Sequence, residues 1–199
     1  MSNQVSEVSR TSSRTPMTRF VPFAEPAVAK RLDVNCEPGN IVPAATDSQV
    51  CVRLDLEDLP CFSPVDRQYE AWGVQFKNAV AISPSNPAYP SHSGTMVMMG
   101  APENGWLEAT FVQPVRHVTS FITSSRRTVM RAFNRQNQLV AEMESPDANL
   151  DTPRSEPDRS GSTHAPANLR LSVSATEIYR ITFHSYHGHL TVDDFCFCG

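Results

Sequence analysis

The chain has 199 residues, enough for one domain with an appendage, and 40% of them are hydrophobic, enough for a core. Sixteen prolines against eight glycines argue against long helices and for pinned turns and extended segments. The net charge of −4 gives no reason to expect nucleic-acid binding, and no apolar run approaches the ~20 residues a membrane-spanning helix needs.

Residues 1–49 read as an extended arm and residues 50–199 as the domain. Ser, Thr, Arg and Pro dominate to Pro26, and residues 27–32 carry the one hint of a helical turn. Such a composition cannot bury enough apolar surface to fold alone, so the arm needs a surface to lie on. Phe20-Val21-Pro22-Phe23 is its natural anchor, because two aromatics on a stiff segment fill pockets at low entropy cost. Residues 1–31 hold Arg10, Arg14, Arg19, Lys30 and Arg31 against Glu7 and Glu25, a net of +3 that leaves −7 for the rest. Lys30 and Lys77 are the only lysines. Arginine suits bidentate and stacked contacts at interfaces, and genomic base composition produces the same bias.

From residue 49 the strand signals are regular. Residues 49–56 alternate, with Val50, Val52, Leu54 and Leu56 on one face. Strands follow at 73–76 and 79–82, then a Pro/Ser/Asn loop over 84–93. The runs 95–99 and 106–111 flank a turn with Pro102, Asn104 and two glycines. Residues 115–122 predict a strand with two-sided or bulged burial. The runs 129–133 and 138–143 flank a hairpin-like Asn134-Arg135-Gln136-Asn137. A long polar loop spans 144–167 and reads as the most mobile element of the domain. Strands at 169–173, 178–183 and 190–198 finish the chain. In the last, Cys196 and Cys198 share one face if Phe195 and Phe197 point inward, and two buried or half-buried thiols are expected. Many short strands with turns every 8–12 residues are the all-β signature, and the fold expected is an antiparallel β-sandwich.

The N-terminus is polar and lacks the apolar stretch of a secretory signal. The five cysteines (Cys36, Cys51, Cys61, Cys196, Cys198) have no paired spacing, so reduced thiols in a chain made inside a cell are the simpler expectation.

Taken in order, a set of motifs is shared with a known class. These are Asp55-Leu56-Glu57-Asp58-Leu59-Pro60, Tyr69-x-x-x-Gly73-Val74-x-Phe76 and His92-Ser93-Gly94, followed by Phe111-x-x-Pro114-Val115-x-x-Val118-x-x-Phe121. Then come Ala132-Phe133-Asn134-x-x-Asn137-x-Leu139-Val140-Ala141, Ile178-x-x-Ile181-x-Phe183 and Val192-Asp193-Asp194-Phe195-x-Phe197. Over residues 50–198 the chain resembles the jelly-roll domains of the galactose-binding-like, carbohydrate-binding-module type. In such sandwiches an acid after the first strand and an acid in the last often hold a structural Ca²⁺. The resemblance makes Glu57, Asp58, Asp193 and Asp194 the candidates, since Ca²⁺ takes several hard oxygen ligands. Turn capping, or pairing with Arg53 or Arg67, is the plainer role for the same acids.

Sugar-binding sandwiches stack exposed aromatics on the apolar face of a pyranose. Tyr89, in the proline loop, and Tyr186, in a histidine-rich turn, are the candidates, whereas Trp72 and Trp106 read as core. His184-x-x-His187-x-His189 is the only histidine cluster, and it lacks a local fourth ligand for zinc. No nucleophile elbow, metalloprotease helix or phosphate loop occurs, so no catalysis is expected. A hydrolase would need a carboxylate pair facing a cleft.

These readings leave a structural protein of a large assembly as the first expectation. It would be a phage head-decoration (cement) or tail protein of the virion, made in the host cytoplasm. The arm would then clamp neighbouring copies or another capsid or tail protein through Arg10, Arg14, Arg19, Phe20 and Phe23. The alternative is a carbohydrate-binding module of a bacterial surface or exported protein, with glycans as partners. Neither reading involves nucleic acid or a membrane.

Overall fold

The computed structural model describes residues 28–32, 50–100, 105–151 and 166–199. Among them the chain forms an antiparallel β-sandwich of jelly-roll type. Its strands are β1 (Ala29–Leu32), β2 (Cys51–Leu54), β3 (Pro64–Val65), β4 (Val74–Lys77), β5 (Ala79–Ile82) and β6 (Val97–Gly100). They continue with β7 (Trp106–Ser124), β8 (Thr128–Phe133), β9 (Leu139–Glu144), β10 (Leu169–Ser185) and β11 (Leu190–Cys198). One turn of 3₁₀ helix, Glu70–Trp72, is the helical element among these residues.

Two strands are longer than the sequence suggests. The runs at 106–111 and 115–122 merge into β7, and those at 169–173 and 178–183 merge into β10. The β7–β10 register shifts between Ser174 and Ile178, opposite Arg116, and again between Ile178 and Arg180, opposite the stretch that holds Val112, Gln113 and Pro114. Bulges of this kind let one strand leave one sheet and enter another. In the first layer, the N-terminal half of β7 lies between β4 and the C-terminal half of β10, which continues to β8 and β9. In the second, the C-terminal half of β7 lies between the N-terminal half of β10 and β11. Beyond β11 that layer continues through β6, β5 and β3, and through β2 and β1.

The core is aromatic where the layers meet. Phe76, Phe111 and Phe183 of the first layer face Phe195 and Phe197 of the second. Ring centroids lie 5.2 Å apart for Phe76–Phe195 and Phe111–Phe197, and 6.4 Å for Phe183–Phe195. All five rings are buried. Burial of each contributes about 1.5–3 kcal/mol, and each edge-on or offset pair about 0.5–1.5 kcal/mol more.

β11 is buried on both faces. Val192, Phe195 and Phe197 join the main core, while Cys196 and Cys198 form a separate buried cluster with Cys51, as the alternation predicts. That alternation has a phase change inside it. Asp194 takes φ +47, and the register against β7 shifts between Asp193 and Cys196. The extra residue returns Phe195 to the core face, which strict period-two alternation from Val192 would have denied it.

Two expectations are corrected. Residues 29–32 form not a helical turn but β1, whose partners on β2 run from Ala29↔Leu54 to Leu32↔Cys51. A sheet edge overrode a weak local signal. The thiols are not all reduced: Cys51 and Cys198, 147 residues apart, are joined in a disulfide, and Cys196 is disulfide-bonded as well. Their pairing depends on β2 and β11 being antiparallel neighbours with Cys51 opposite Cys198, which spacing along the chain does not reveal. Cys61 is a free, exposed thiol.

The polar segment after β9 is anchored where it begins. Asn149 is buried, accepts a hydrogen bond from the Ser124 amide and donates to the Ile122 carbonyl. Its remainder, 152–165, lies outside the described residues, as do Arg10, Arg14, Arg19, Phe20, Phe23 and Cys36 of the arm.

Candidate functional site

The connection between β5 and β6, residues 83–96, lies against the outer face of the second layer. Its first half walls a groove of about 290 Å³. Ile82, Met99 and Thr191 contribute to the groove from β5, β6 and β11, and Pro84, Asn86 and Tyr89 from the loop. Phe62 and His189 complete the lining. Of the two tyrosines singled out from sequence, Tyr89 therefore lines a cavity, half-buried.

Phe62 is the residue that sequence reasoning missed. Its side chain is 80% exposed and its backbone is left-handed, φ +64. That region costs a bulky residue about 1–2 kcal/mol. The backbone that carries the ring is nonetheless held, because the Phe62 amide donates to the Ala81 carbonyl (2.7 Å) and the Ala81 amide to the Ser63 carbonyl (2.9 Å). The one sequence signal was an aromatic inside the proline-bounded turn Pro60-Cys61-Phe62-Ser63-Pro64.

The second half of the same loop is fastened by carboxylates. Asp193 Oδ2 accepts the amides of His92 (2.7 Å) and Ser93 (3.0 Å), and its Oδ1 accepts the Asp194 amide. Asp194 Oδ1 accepts from the Arg53 guanidinium and the Ser93 hydroxyl, and its Oδ2 lies 2.6 Å from His92 Nδ1. The His92 ring stacks on Phe121 at 3.5 Å. Glu57 takes the amides of Thr95 and Met96 and the Thr95 hydroxyl. Burial pushes the Asp193 carboxyl up from its ordinary range, with the Asp194 charge adding to it against the amide hydrogen bonds. Burial pushes Glu57 up too, but the Met96 and Thr95 donors outweigh it and hold that carboxyl below its usual value.

Asp55, Glu57, Asp193 and Asp194 share a polar cleft of about 260 Å³ with Lys30 and Arg53. Asp58 does not line it; its side chain is in an exposed turn. Each carboxylate oxygen of Glu57, Asp193 and Asp194 accepts an N–H or O–H donor of the protein. Among the described residues no group of three His, Cys, Asp or Glu is placed to hold a metal ion. Acid-pair chemistry in the cleft is therefore tied up in hydrogen bonds. Nor do Ser93, His92 and Asp194 form a nucleophile relay, since the Ser93 hydroxyl is spent on Asp194.

Tyr186 is half-exposed, lies against His184 with the rings tilted and their centroids 3.8 Å apart, and receives an Arg131 N–H at 3.4 Å. The three histidines of that turn do not converge: His187 sits at φ +56 and His189 faces the groove. Trp72 packs partly against the core, and Trp106 is half-buried at the start of β7.

No protein-family model matches the chain, and no curated protein does. Solved structures do show likenesses. An arabinose-bound GH51 α-L-arabinofuranosidase is similar at 9% identity and a TM-score of 0.40, covering 72% of this chain and 25% of its own. A family 61 carbohydrate-binding module in complex with β-1,4-galactotriose is similar at 9% identity and 0.36, covering 66% and 92%. The K1 cleaved adhesin domain of Lys-gingipain from Porphyromonas gingivalis W83 is similar at 8% and 0.38, covering 75% and 97%. The chain thus spans a quarter of the arabinofuranosidase it resembles. No helix among the described residues is long and apolar enough to cross a membrane.

Proposed function

We propose that the chain is a non-catalytic carbohydrate-binding module of an exported or surface protein, and that the groove beside Phe62 and Tyr89 takes the sugar. The observation that carries this reading is Phe62: a residue 80% exposed, on a left-handed backbone that is itself hydrogen-bonded to β5 at Ala81. An exposed aromatic on a fixed backbone has only two side-chain torsions to order, which keeps low the entropy cost of stacking against an apolar ligand face. Asn86, His189 and the neighbouring serines add polar groups for hydroxyls around a largely apolar floor, the usual make-up of a small-ligand site.

The disulfide supports the exported setting. Such bonds persist in oxidising compartments and are rare in the cytosol, where a phage head or tail would be assembled. The arm residues on which the assembly reading depends lie outside the described residues.

Isothermal titration with cellohexaose, xylohexaose, mannohexaose and β-1,4-galactotriose tests the proposal. At least one should bind. Phe62→Ala and Tyr89→Ala should each weaken it about tenfold or more, ~1.4 kcal/mol, without lowering the thermal midpoint. No sugar should be cleaved. Binding that neither substitution alters would overturn the assignment, as would silence across a broader glycan array.

A further inference from the structure

The loop that carries Tyr89 into the groove is fixed at its far end by the bulge in β11. We propose that Asp194 is a positioning residue for that groove: by holding His92 and Ser93 it sets the place of Pro84, Asn86 and Tyr89, and with it the affinity for saccharide. The inference deepens the carbohydrate reading and rests on it for the ligand.

The loop has fourteen residues between Ile82 and Val97, which are themselves paired across β5 and β6. A connection of that length with no strand or helix of its own is held by side chains or not at all. Near the groove its ties are few, and two of them reach outside the loop, the Asp151 amide to Ala88 and the Ser83 amide to Cys61 Sγ (3.4 Å). The Tyr89 amide donates to the Asn86 carbonyl (2.9 Å), the Ala88 amide to Asn86 Oδ1 (3.0 Å) and the Asp151 amide to the Ala88 carbonyl (3.0 Å). Three residues on, the ties multiply. Asp193 takes two loop amides, Asp194 takes the Ser93 hydroxyl and the His92 ring, and Asn168 Nδ2 reaches the Ser91 carbonyl at 3.3 Å. The loop is therefore tied once beside Tyr89, through Ala88 and Asp151, and most densely just beyond it, at His92 and Ser93.

The bulge explains how an acid comes to be there. Simple alternation from Val192 would direct residue 194 into the core. The extra residue at φ +47 lets Phe195 take that place and frees Asp194 to turn toward the loop. Left-handed backbone at a non-glycine residue is strained, and Asp and Asn bear it best. Arg53, on β2, meets the same oxygen as Ser93 and also donates to the Ser93 hydroxyl (2.9 Å), so the three side chains fix one another. Both strands are joined beside this point by the Cys51–Cys198 bond. The pin is thus anchored in the rigid part of the domain.

Asp194→Asn keeps the backbone preference and the shape while removing the charge. Hydrogen–deuterium exchange should show amides 88–93 opening at least tenfold faster, with β7 and β11 core amides unchanged. Affinity for whichever of the four oligosaccharides the wild-type chain binds should fall at least fivefold, at an unaltered thermal midpoint. Should Asp194→Asn not fold, Ser93→Ala removes one of the bonds and should give a smaller rise, about threefold, in the same amides. Glu57→Gln weakens the hold on Thr95 and Met96, next to β6 and farther from the groove than His92 and Ser93, and should leave groove affinity within twofold. Wild-type exchange at 88–93 in Asp194→Asn (or in Ser93→Ala, if that is the variant that folds) overturns the proposal. So does a loosened loop that binds as before. If the wild-type chain binds no sugar, the carbohydrate reading fails, and the exchange result alone decides whether Asp194 fixes the loop.

Discussion

The outer faces of the two layers are built from the same two long strands, yet they are finished in different ways. On the first layer the outward side chains pair with one another: Lys77 and Arg180 with Glu108, Arg131 with Glu142, and Arg180 over the Phe133 ring at 3.9 Å. On the second, the outward residues of β11 are buried, under a disulfide cluster at one end and under the carboxylate-held loop at the other. A self-paired charged face is a solution to solubility, and exposed pairs of that kind contribute little to stability. A face covered by a loop that leaves an apolar groove, with a strained aromatic beside it, goes beyond what solubility asks for. The difference directs attention to the second layer, even though the first carries the greater density of charge.

That contrast can be broken at several points. The largest effect should come from Cys51→Ala/Cys198→Ala. Closing a chain of this length removes unfolded-state entropy, and losing the bond should cost about 2–5 kcal/mol. The thermal midpoint should drop on the order of 10 °C, as followed by calorimetry under non-reducing conditions. A smaller effect of opposite sign is expected at Phe62→Gly. Glycine relieves the left-handed strain, so denaturant titration should show stability unchanged or raised by up to about 1 kcal/mol while sugar binding is lost. Such a trade marks a residue kept for its ligand rather than its fold. The smallest effect belongs to the first layer. Glu142→Ala, which frees Arg131 at an exposed pair, should change stability by less than about 1 kcal/mol and leave groove affinity untouched.

Much of this architecture was legible in the residues. The apolar runs at 79–82 and 190–198 mark β5 and β11 with their full bounds, whereas the inward Phe195 and Phe197 depend on the bulge at Asp194. What period-two alternation could not convey was continuity. Val112-Gln113-Pro114 reads as a break, whereas in the fold it is a bend within β7. β1 was hidden because pairing with β2, not its own composition, makes it a strand. The disulfide was hidden for a related reason, since 147 residues separate partners that only the sheet brings together. At the site, Tyr89 was found because a tyrosine in a proline loop has nowhere to be buried. Phe62 was missed because exposure of an aromatic depends on a left-handed backbone that no local pattern announces. The acids at both ends of the sandwich do meet, as Glu57, Asp193 and Asp194, but they meet around a loop's N–H groups.

The most direct test of the account is chemical-shift mapping of the isotopically labelled chain during titration with the oligosaccharide that binds in calorimetry. The account predicts that shifts concentrate on Phe62, Asn86, Tyr89, His189 and Thr191, with the paired face of Lys77, Glu108, Arg131 and Arg180 silent. Shifts confined to that charged face, with the Phe62 groove unmoved, would contradict it.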